Sequence, residues 1–332
     1  MRLARERTEV QEAGPPSRRT RRLSFASNQR AFLALPDNLK GIVTILVASL
    51  GFTIMVALIK LAGERLHVTQ VLFARQAVMT LIVLPSILSH FPGCLRTERL
   101  DLQLVRVAAA LVAMLCGFYA VIHMPLAEAT ALGFAKAFFV TIFAILILHE
   151  RVGPRRWAAI LVGFAGVMVM LQPGTDAFDP VGLFAIVGAA GAGLVMCIIR
   201  LLSRTDPPIT ILSYQAILVG LAVAGPAIWF WQWPTPWEWG LLVAIGFASY
   251  GAQMLNIYSY KWGEASVLAS LDYVRILWAT LLGYLIFETL PGAWTWVGAA
   301  IVIAASIYTV HRERQKARAL VRGPDGRGYT NT

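Results

Sequence analysis

Three charged residues lie deep within otherwise apolar stretches of this 332-residue sequence. Lys136 lies inside 127–148, and Asp272 and Arg275 lie inside 265–286. A charged side chain in the middle of a bilayer costs roughly 2.5 to 3.5 kcal/mol even on the most lenient scale, so such residues usually face a polar cavity. We therefore interpret Lys136, Asp272 and Arg275 as the interior of a substrate site.

The same charges also fit a structural interpretation. Asp272 and Arg275 stand at i and i+3, so they could simply neutralise each other on one helix face. Lys136 is about 14 Å from its end of one stretch and Asp272 about 11 Å from the opposite surface, so the two meet near the midplane if their helices pack together. Arg75 is about 9 Å inside its stretch, a depth that fits both a ligand contact and an arginine reaching for the surface.

Uncharged polar residues supply a second group of candidates. In 238–259 they recur every three or four positions and predict one hydrogen-bonding helix face: Ser249, Tyr250, Gln253, Asn256 and Tyr258. Such a face serves either a substrate or bonding between helices. Tyr250, Gln253 and Asn256, with Tyr119 from an earlier stretch, complete the candidate substrate-binding set.

Other chemistry has no matching motif in the sequence. Cys94, Cys116 and Cys197 have no paired spacing, which indicates neither a disulfide framework nor a metal site. There is no phosphate-binding loop and no nucleophile elbow. We therefore predict no metal, no cofactor and no ATP-driven pumping by this chain.

The composition indicates an integral membrane protein, with 58% hydrophobic and 14% charged residues. The net charge is +11, and 15 of the 29 Lys and Arg residues lie in 1–40 and 311–332. This charge therefore belongs mainly to two basic tails, which favour contact with anionic lipid and not with nucleic acid. We predict that 1–40 is a disordered cytoplasmic tail and that 311–332 is a second cytoplasmic tail.

Ten stretches are long enough to cross a bilayer, since a span needs about 20 mainly apolar residues. They are roughly 41–61, 69–89, 104–123, 127–148, 156–172, 180–200, 209–229, 238–259, 265–286 and 293–310. The short connections leave no room for a soluble domain. The predicted fold class is an all-α integral membrane protein with ten transmembrane helices.

The loop cations predict the orientation. Loops after even-numbered spans contain Arg96, Arg99, Arg151, Arg155, Arg156, Arg200, Arg204 and Lys261, whereas the alternate loops contain only Arg65. Both termini should therefore be cytoplasmic. The tryptophans between Trp229 and Trp239 fall on the opposite face, where an interfacial belt is favoured over substrate stacking.

An internal repeat runs through the ten predicted spans. Gln76 and Gln215 are 139 positions apart within similar pentapeptides, and Trp157 and Trp296 share that offset. Glu128 and Glu264 are 136 positions apart, so one loop has lost three residues. Five spans per half means that the halves, 41–172 and 180–310, insert with opposite orientation, as a 5+5 inverted repeat typical of secondary transporters.

Three stretches resemble the ten-helix EamA-type members of the drug/metabolite transporter superfamily: GFYAVIHMPLAEATAL, ILILHERVGPRRW and LDYVRILWATLLGYLIFETLPGAWTWVGAAIVI. The resemblance covers about residues 41–310 and includes Glu150 and Glu288 at the far ends of spans four and nine. One departure is visible, because a proline is common halfway along span four, where this chain has Lys136 and Ala137. An extra buried cation there should change what the cavity accepts.

The resemblance implies a secondary transporter that moves a small organic metabolite by alternating access. It implies an amino acid or derivative, an adenosyl compound, a carnitine-like compound or a vitamin as substrate. The formal charge of about +2 on Arg75, Lys136, Asp272 and Arg275 favours an anionic or zwitterionic molecule. If Arg275 keeps Asp272 ionised, which we favour, the protein is a facilitator or exchanger, and if Asp272 carries a proton, transport is proton-coupled.

The alternative function is an intramembrane enzyme acting on a polar or lipid-linked substrate. Such an enzyme would also bury polar groups, but it needs a catalytic pair, and the sequence offers none. The predicted partners are a small-molecule substrate and the lipid bilayer, with no nucleic acid. The predicted assembly is a monomer or homodimer.

Overall fold

The computed structural model describes residues 36–89, 96–148, 154–172, 179–202, 205–262, 268, 271 and 273–322, and every regular element in these ranges is a helix. The first half contains α1 (Asp37–Gly63), α2 (Val68–Ser89), α3 (Leu100–His123), α4 (Leu126–Gly133), α5 (Lys136–Leu148) and α6 (Pro154–Leu171). The second half contains α7 (Val181–Leu202), α8 (Pro208–Tyr214), a π-helical turn (Gln215–Val219), α9 (Gly220–Trp229), α10 (Pro236–Trp262), α11 (Val274–Phe287) and α12 (Ala293–Arg322).

Seven helical segments among the described residues are long and apolar enough to cross a membrane: Leu39–Gly63, Val68–Ser89, Leu100–His123, Leu126–Ile147, Val181–Ile199, Thr210–Trp229 and Pro236–Ser259. Three shorter apolar helices cover Leu161–Leu171, Val274–Phe287 and Ala293–Ala305. The prediction of an all-helical membrane protein is confirmed, since in lipid a helix satisfies its own backbone groups. The count of ten spans stays a prediction.

The fourth predicted span is broken in two. Phe134 N–H donates to the carbonyl of Ala131 at 3.1 Å, and Ala135 N–H donates to that of Leu132 at 2.9 Å. These i to i−3 bonds tighten the chain into a 3₁₀-type turn between α4 and α5. Lys136 is therefore the first residue of a new helix, α5, and not a residue inside a continuous one.

Three helix pairs form the largest packing surfaces: α1 with α10, α3 with α7, and α6 with α12. Small residues bring these helices together. A Cβ on Gly188 of α7 would lie 2.9 Å from the backbone nitrogen of Gly117 in α3. A Cβ on Gly166 of α6 would lie 2.9 Å from the carbonyl oxygen of Gly298 in α12. Close approach of small residues is the usual basis of helix association in membranes.

One end of the bundle is held by an ion pair. Arg65, in the α1–α2 loop, donates from Nε and Nη2 to the carboxylate of Glu238 at the start of α10, and from Nη2 to the carbonyl of Trp233. The hydrogen bond to Glu238 raises the pKa of Arg65. Gln70 and Gln232 exchange two further hydrogen bonds on this face.

A second set of contacts joins the loops beyond the opposite end of α2. Asp206, in the α7–α8 loop, accepts hydrogen bonds from Thr97 at 2.6 Å and Gln103 at 2.7 Å. Burial raises the pKa of Asp206, but the hydrogen bonds from Thr97 and Gln103 lower it more, so the net pKa is below its usual range. The α2–α3 and α7–α8 loops therefore share one face, and the α1–α2 and α9–α10 loops share the other.

Candidate functional site

A cavity of about 450 Å³ lies at the centre of the bundle. Its wall is formed by α1, α3, the α4–α5 break, α7, the π-helical turn, α10 and α11. Most lining residues are apolar or small. The polar ones among the described residues are Thr53, Thr130, Lys136, Gln215, Gln253 and Arg275.

Lys136 and Arg275 are the two cations in the described lining of this central cavity. The Nζ atom of Lys136 lies 5.6 Å from the ring centroid of Phe134, and the guanidinium carbon of Arg275 lies 4.3 Å from that of Phe52. Both side chains are half-buried. Each cation thus lies over an aromatic face, which compensates part of the cost of removing it from water.

The start of α5 reinforces the positive charge of Lys136. The N-terminus of a helix bears a partial positive charge, so a cation there is unfavourable for the helix and a nearby anion is favourable. Phe138 N–H already donates to the carbonyl of Ala135 and is not available to a ligand. The start of α5 therefore attracts an anion mainly through the helix dipole, and a negative group is favourable there.

The other predicted site residues divide into three groups. Gln253 lines the central cavity, whereas Arg75 and Tyr250 line a smaller pocket beside it, to which Gln253 also contributes. Neither Tyr119 nor Asn256 is among the described residues lining the central cavity. Asp272 lies outside the described residues.

The positions of Tyr119 and of the predicted polar face of α10 differ from expectation. Tyr119 stacks on His123, with ring centroids 4.1 Å apart, and also contacts Phe184. Ser249 Oγ, in the middle of α10, accepts a hydrogen bond from Arg75. Tyr258, two turns further on, is 46% exposed and stacks on Trp262. The polar residues of α10 therefore do not share one environment.

A buried arginine that the sequence reasoning missed lies beside the site. Arg106 of α3 is fully buried, and it donates from Nη1 to Oε1 of Gln215 at 2.8 Å and from Nη2 to the carbonyl of Ile211 at 2.5 Å. It lies only three residues inside a predicted span, a depth from which an arginine side chain can reach the interface. The sequence signal that could have found Arg106 is Gln215, its hydrogen-bond partner, which the internal repeat pairs with Gln76.

Arg75 is the second deeply buried arginine. Its Nε donates to Ser249 Oγ at 2.9 Å, and its Nη1 donates to Oε1 of Gln76 at 2.6 Å. The guanidinium also lies 5.9 Å from the ring centroid of Phe118. The sequence left two interpretations of Arg75 open. The one in which its side chain reaches for the surface is wrong, because Arg75 is only 6% exposed.

Two copies of one transporter domain account for most of the chain. Residues 39–172 and 180–310 each match the EamA-like transporter family. The chain belongs to the EamA-like transporter family. It is therefore a transporter and not an enzyme, and the resemblance seen in its sequence is confirmed.

Curated relatives in the EamA-like family are named as transporters of several small metabolites. An S-adenosylmethionine uptake transporter of Rickettsia prowazekii is 27% identical over 282 residues, covering 85% of this chain and 96% of the relative. The pseudopaline exporter CntI of Pseudomonas aeruginosa is 31% identical over 274 residues, covering 80% and 94%. A riboflavin transporter of Vibrio cholerae is 29% identical over 288 residues, covering 84% and 96%.

A solved structure described simply as the crystal structure of a protein has the same fold as this EamA-like chain. The TM-score is 0.54 at 18% identity, and the match covers 82% of this chain and 98% of the other. At this identity the likeness concerns the fold alone.

Proposed function

We propose that this EamA-like protein is a secondary transporter that carries a small anionic or zwitterionic metabolite through the central cavity by alternating access. The observation that carries the proposal is the pair of cations, Lys136 and Arg275, in the wall of a metabolite-sized cavity. Small-molecule sites are typically about 300–1,000 Å³, so this volume suits a compact organic molecule.

The proposed architecture is ten transmembrane helices in two inverted halves. If each predicted span is exchanged for the one five positions later, the contact of α1 with α10 becomes that of α7 with α3, and α6 with α12 is unchanged. The contact of α5 with α7 likewise becomes that of α11 with α1. Packing that survives this exchange supports an inverted repeat, the architecture on which rocking of two halves around one site depends.

The charge of the proposed substrate follows from the cavity wall. Lys136, Arg275 and the N-terminus of α5 all favour a negative group, and aromatic residues beside both cations favour an apolar or planar body. The names of the relatives, which refer to S-adenosylmethionine, pseudopaline and riboflavin, support small organic metabolites as the class. In the candidate substrate-binding set, Asp272 is the residue that would bind the positive group of a zwitterion.

For the transport mode, we propose a facilitator or exchanger in the inner membrane, with both termini cytoplasmic. Arg275 follows Asp272 by three residues and favours its ionised form, which argues against proton carriage. The hydrogen bond from Thr97 to Asp206 puts the α2–α3 and α7–α8 loops on the same face. Both loops are rich in arginine, which supports a cytoplasmic position for that face.

Transport assays in liposomes test this function. Purified protein would be reconstituted and offered radiolabelled anionic, zwitterionic and cationic metabolites in counterflow, with protein-free liposomes as the blank. We expect saturable exchange of at least one anion or zwitterion. Exchange of cations alone would overturn the proposed substrate class, and chemical conversion of a substrate without exchange would favour the enzyme alternative.

A further inference from the structure

A second pocket lies directly beside the central cavity. It has a volume of about 30 Å³, and its polar lining comes from Arg75, Gln76, Gln215, Tyr250 and Gln253. A single water needs roughly 10–15 Å³ on the same kind of measure, so there is space for about two or three water-sized groups. Gln215 and Gln253 line both the pocket and the central cavity, so they form the partition between the two.

The two buried arginines determine which polar atoms of the glutamines are free to face a ligand. A guanidinium has only donors, so the amide atom that meets it must be the oxygen. Arg75 thus occupies Oε1 of Gln76, and Arg106 occupies Oε1 of Gln215. The side-chain amide nitrogen of Gln76 donates to the main-chain carbonyl of Gln215 at 3.3 Å. The side-chain amide nitrogen of Gln215 is left as a donor.

Further donors come from Arg75 and Tyr250. The Nε and Nη1 atoms of Arg75 have partners, but among the described residues Nη2 has no hydrogen-bond partner. Within the same part of the chain, the side chains of Tyr250 and Gln253 also make no hydrogen bond. The pocket therefore combines a buried guanidinium with at least two uncharged donors, while the side-chain amide oxygens of Gln76 and Gln215 are occupied.

No carboxylate belongs to the described lining of this pocket. A buried charge is stable only when it is paired and hydrogen-bonded, and donors arranged around a small space suit an anion. We propose that this pocket binds one small inorganic monovalent anion, of the size of chloride. The anion neutralises Arg75 and receives hydrogen bonds from Tyr250 and Gln215.

The proposed anion site adjoins the transport site without depending on it. Because Gln215 and Gln253 form the partition, an anion that holds their donors fixes the polar edge of the central cavity. Binding can be measured in the absence of any transported substrate, so a failure of the anion site and a failure of the transport proposal are distinguishable.

Thermal unfolding of the purified full-length protein in detergent tests the proposal. The melting temperature would be followed as potassium chloride replaces potassium gluconate at constant ionic strength. We expect a saturable rise with chloride and with bromide, because a ligand that binds only the folded state stabilises it. Bromide anomalous scattering from crystals should place the ion against Arg75.

Two variants assign the effect to the pocket. Tyr250→Phe removes one donor with little change in shape, and we expect it to weaken chloride binding by about tenfold or more. Arg75→Gln should abolish the chloride-dependent rise, and Tyr250→Phe keeps the test decisive if the arginine variant fails to fold. Tyr119→Phe is the matched control and should retain the wild-type response.

Three results would overturn the anion site. One is a melting temperature that does not respond to chloride, which would mean that the pocket holds water or that Arg75 has another counter-charge. Another is a response to acetate or formate but not to halides, which would mean that the pocket receives the carboxylate of a substrate. The third is a chloride response that Tyr250→Phe and Arg75→Gln both leave unchanged, which would place the anion elsewhere.

Discussion

Gln76 donates a hydrogen bond to the main-chain carbonyl of Gln215, with 3.3 Å between nitrogen and oxygen. These residues are 139 positions apart, which is the offset of the sequence repeat. Equivalent residues of two halves related by a twofold axis approach each other only near that axis. The contact therefore supports the proposed inverted repeat, whose axis would pass close to the polar cluster of Arg75 and Arg106.

Replacing Lys136 should reduce transport without preventing insertion. A charge-assisted hydrogen bond contributes about 1.5–3 kcal/mol, so we expect Lys136→Leu to slow uptake of an anionic substrate by about ten- to a hundredfold. Lys136→Arg should retain more activity. Counterflow in liposomes, normalised to the reconstituted protein, measures the effect.

Lys60 provides the matched control for Lys136. It donates to the carbonyls of Val121 at 3.2 Å and Met124 at 2.6 Å, at the end of α3. Lys60→Leu should therefore lower thermal stability while leaving substrate preference unchanged. If Lys136→Leu transports at the wild-type rate, Lys136 does not contact the substrate.

The buried arginine of α3 should be needed for stability. Arg106→Met would leave the acceptors on Gln215 and Ile211 without their donor, and each unsatisfied buried group costs about 1–3 kcal/mol. We expect a clear fall in melting temperature. Arg65→Met, which removes a partly exposed ion pair, should cost about 1 kcal/mol or less. Equal losses in the two variants would contradict the buried network.

Helix packing between α3 and α7 can be tested with a single methyl group. Gly188→Ala would place a Cβ 2.9 Å from the backbone nitrogen of Gly117, so the helices must separate, at a cost of roughly 1–3 kcal/mol. A Cβ on Gly225 of α9 meets nothing within 4 Å, so Gly225→Ala should be neutral. Melting temperatures of the two variants provide the comparison.

The proposed orientation predicts opposite labelling of the two ends of α2. In a variant without native cysteines, Glu64→Cys should react with an impermeant maleimide added to intact cells, because Glu64 lies in the loop of Arg65. Glu98→Cys, beside Thr97 on the other face, should react only after permeabilisation. Labelling of both from the outside is incompatible with this topology.

Asp272 distinguishes an exchanger from a proton-coupled transporter. If Arg275 keeps the carboxylate ionised, an imposed pH gradient should not drive accumulation in wild-type liposomes. Asp272→Asn should then change substrate preference or affinity, with no special effect on gradient-driven uptake. Accumulation driven by the pH gradient, and lost in Asp272→Asn while counterflow persists, would refute the exchanger mechanism.

The sequence identified the membrane class and the two cations in the described lining of the central cavity for a simple reason. Charge within an apolar stretch is rare, so Lys136 and Arg275 are visible without a structure. Arg106 was not recognised, because its depth depends on where α3 begins: the helix starts at Leu100, four residues before the predicted 104. A small error in a helix end changes an interfacial residue into a buried one.

Backbone irregularities were also beyond sequence reasoning. The α4–α5 break contains neither proline nor glycine at Phe134 and Ala135, and the π-helical turn at Gln215–Val219 has no composition that marks it. Short 3₁₀ and π segments inside helices often mark strain or a functional site. The separation of Tyr250 from Tyr258 likewise depends on how far α10 extends past its neighbours.

The break before Lys136 makes α4 a short lever. With 8 residues, α4 is about 12 Å long, so a tilt of about 20° at Phe134 and Ala135 would move Leu126 by roughly 4 Å. An unbroken helix tilted about its middle would displace both of its ends in opposite directions. In the proposed alternating access, a hinge at this break would widen one mouth of the pathway while α5 kept the other half of the wall stationary.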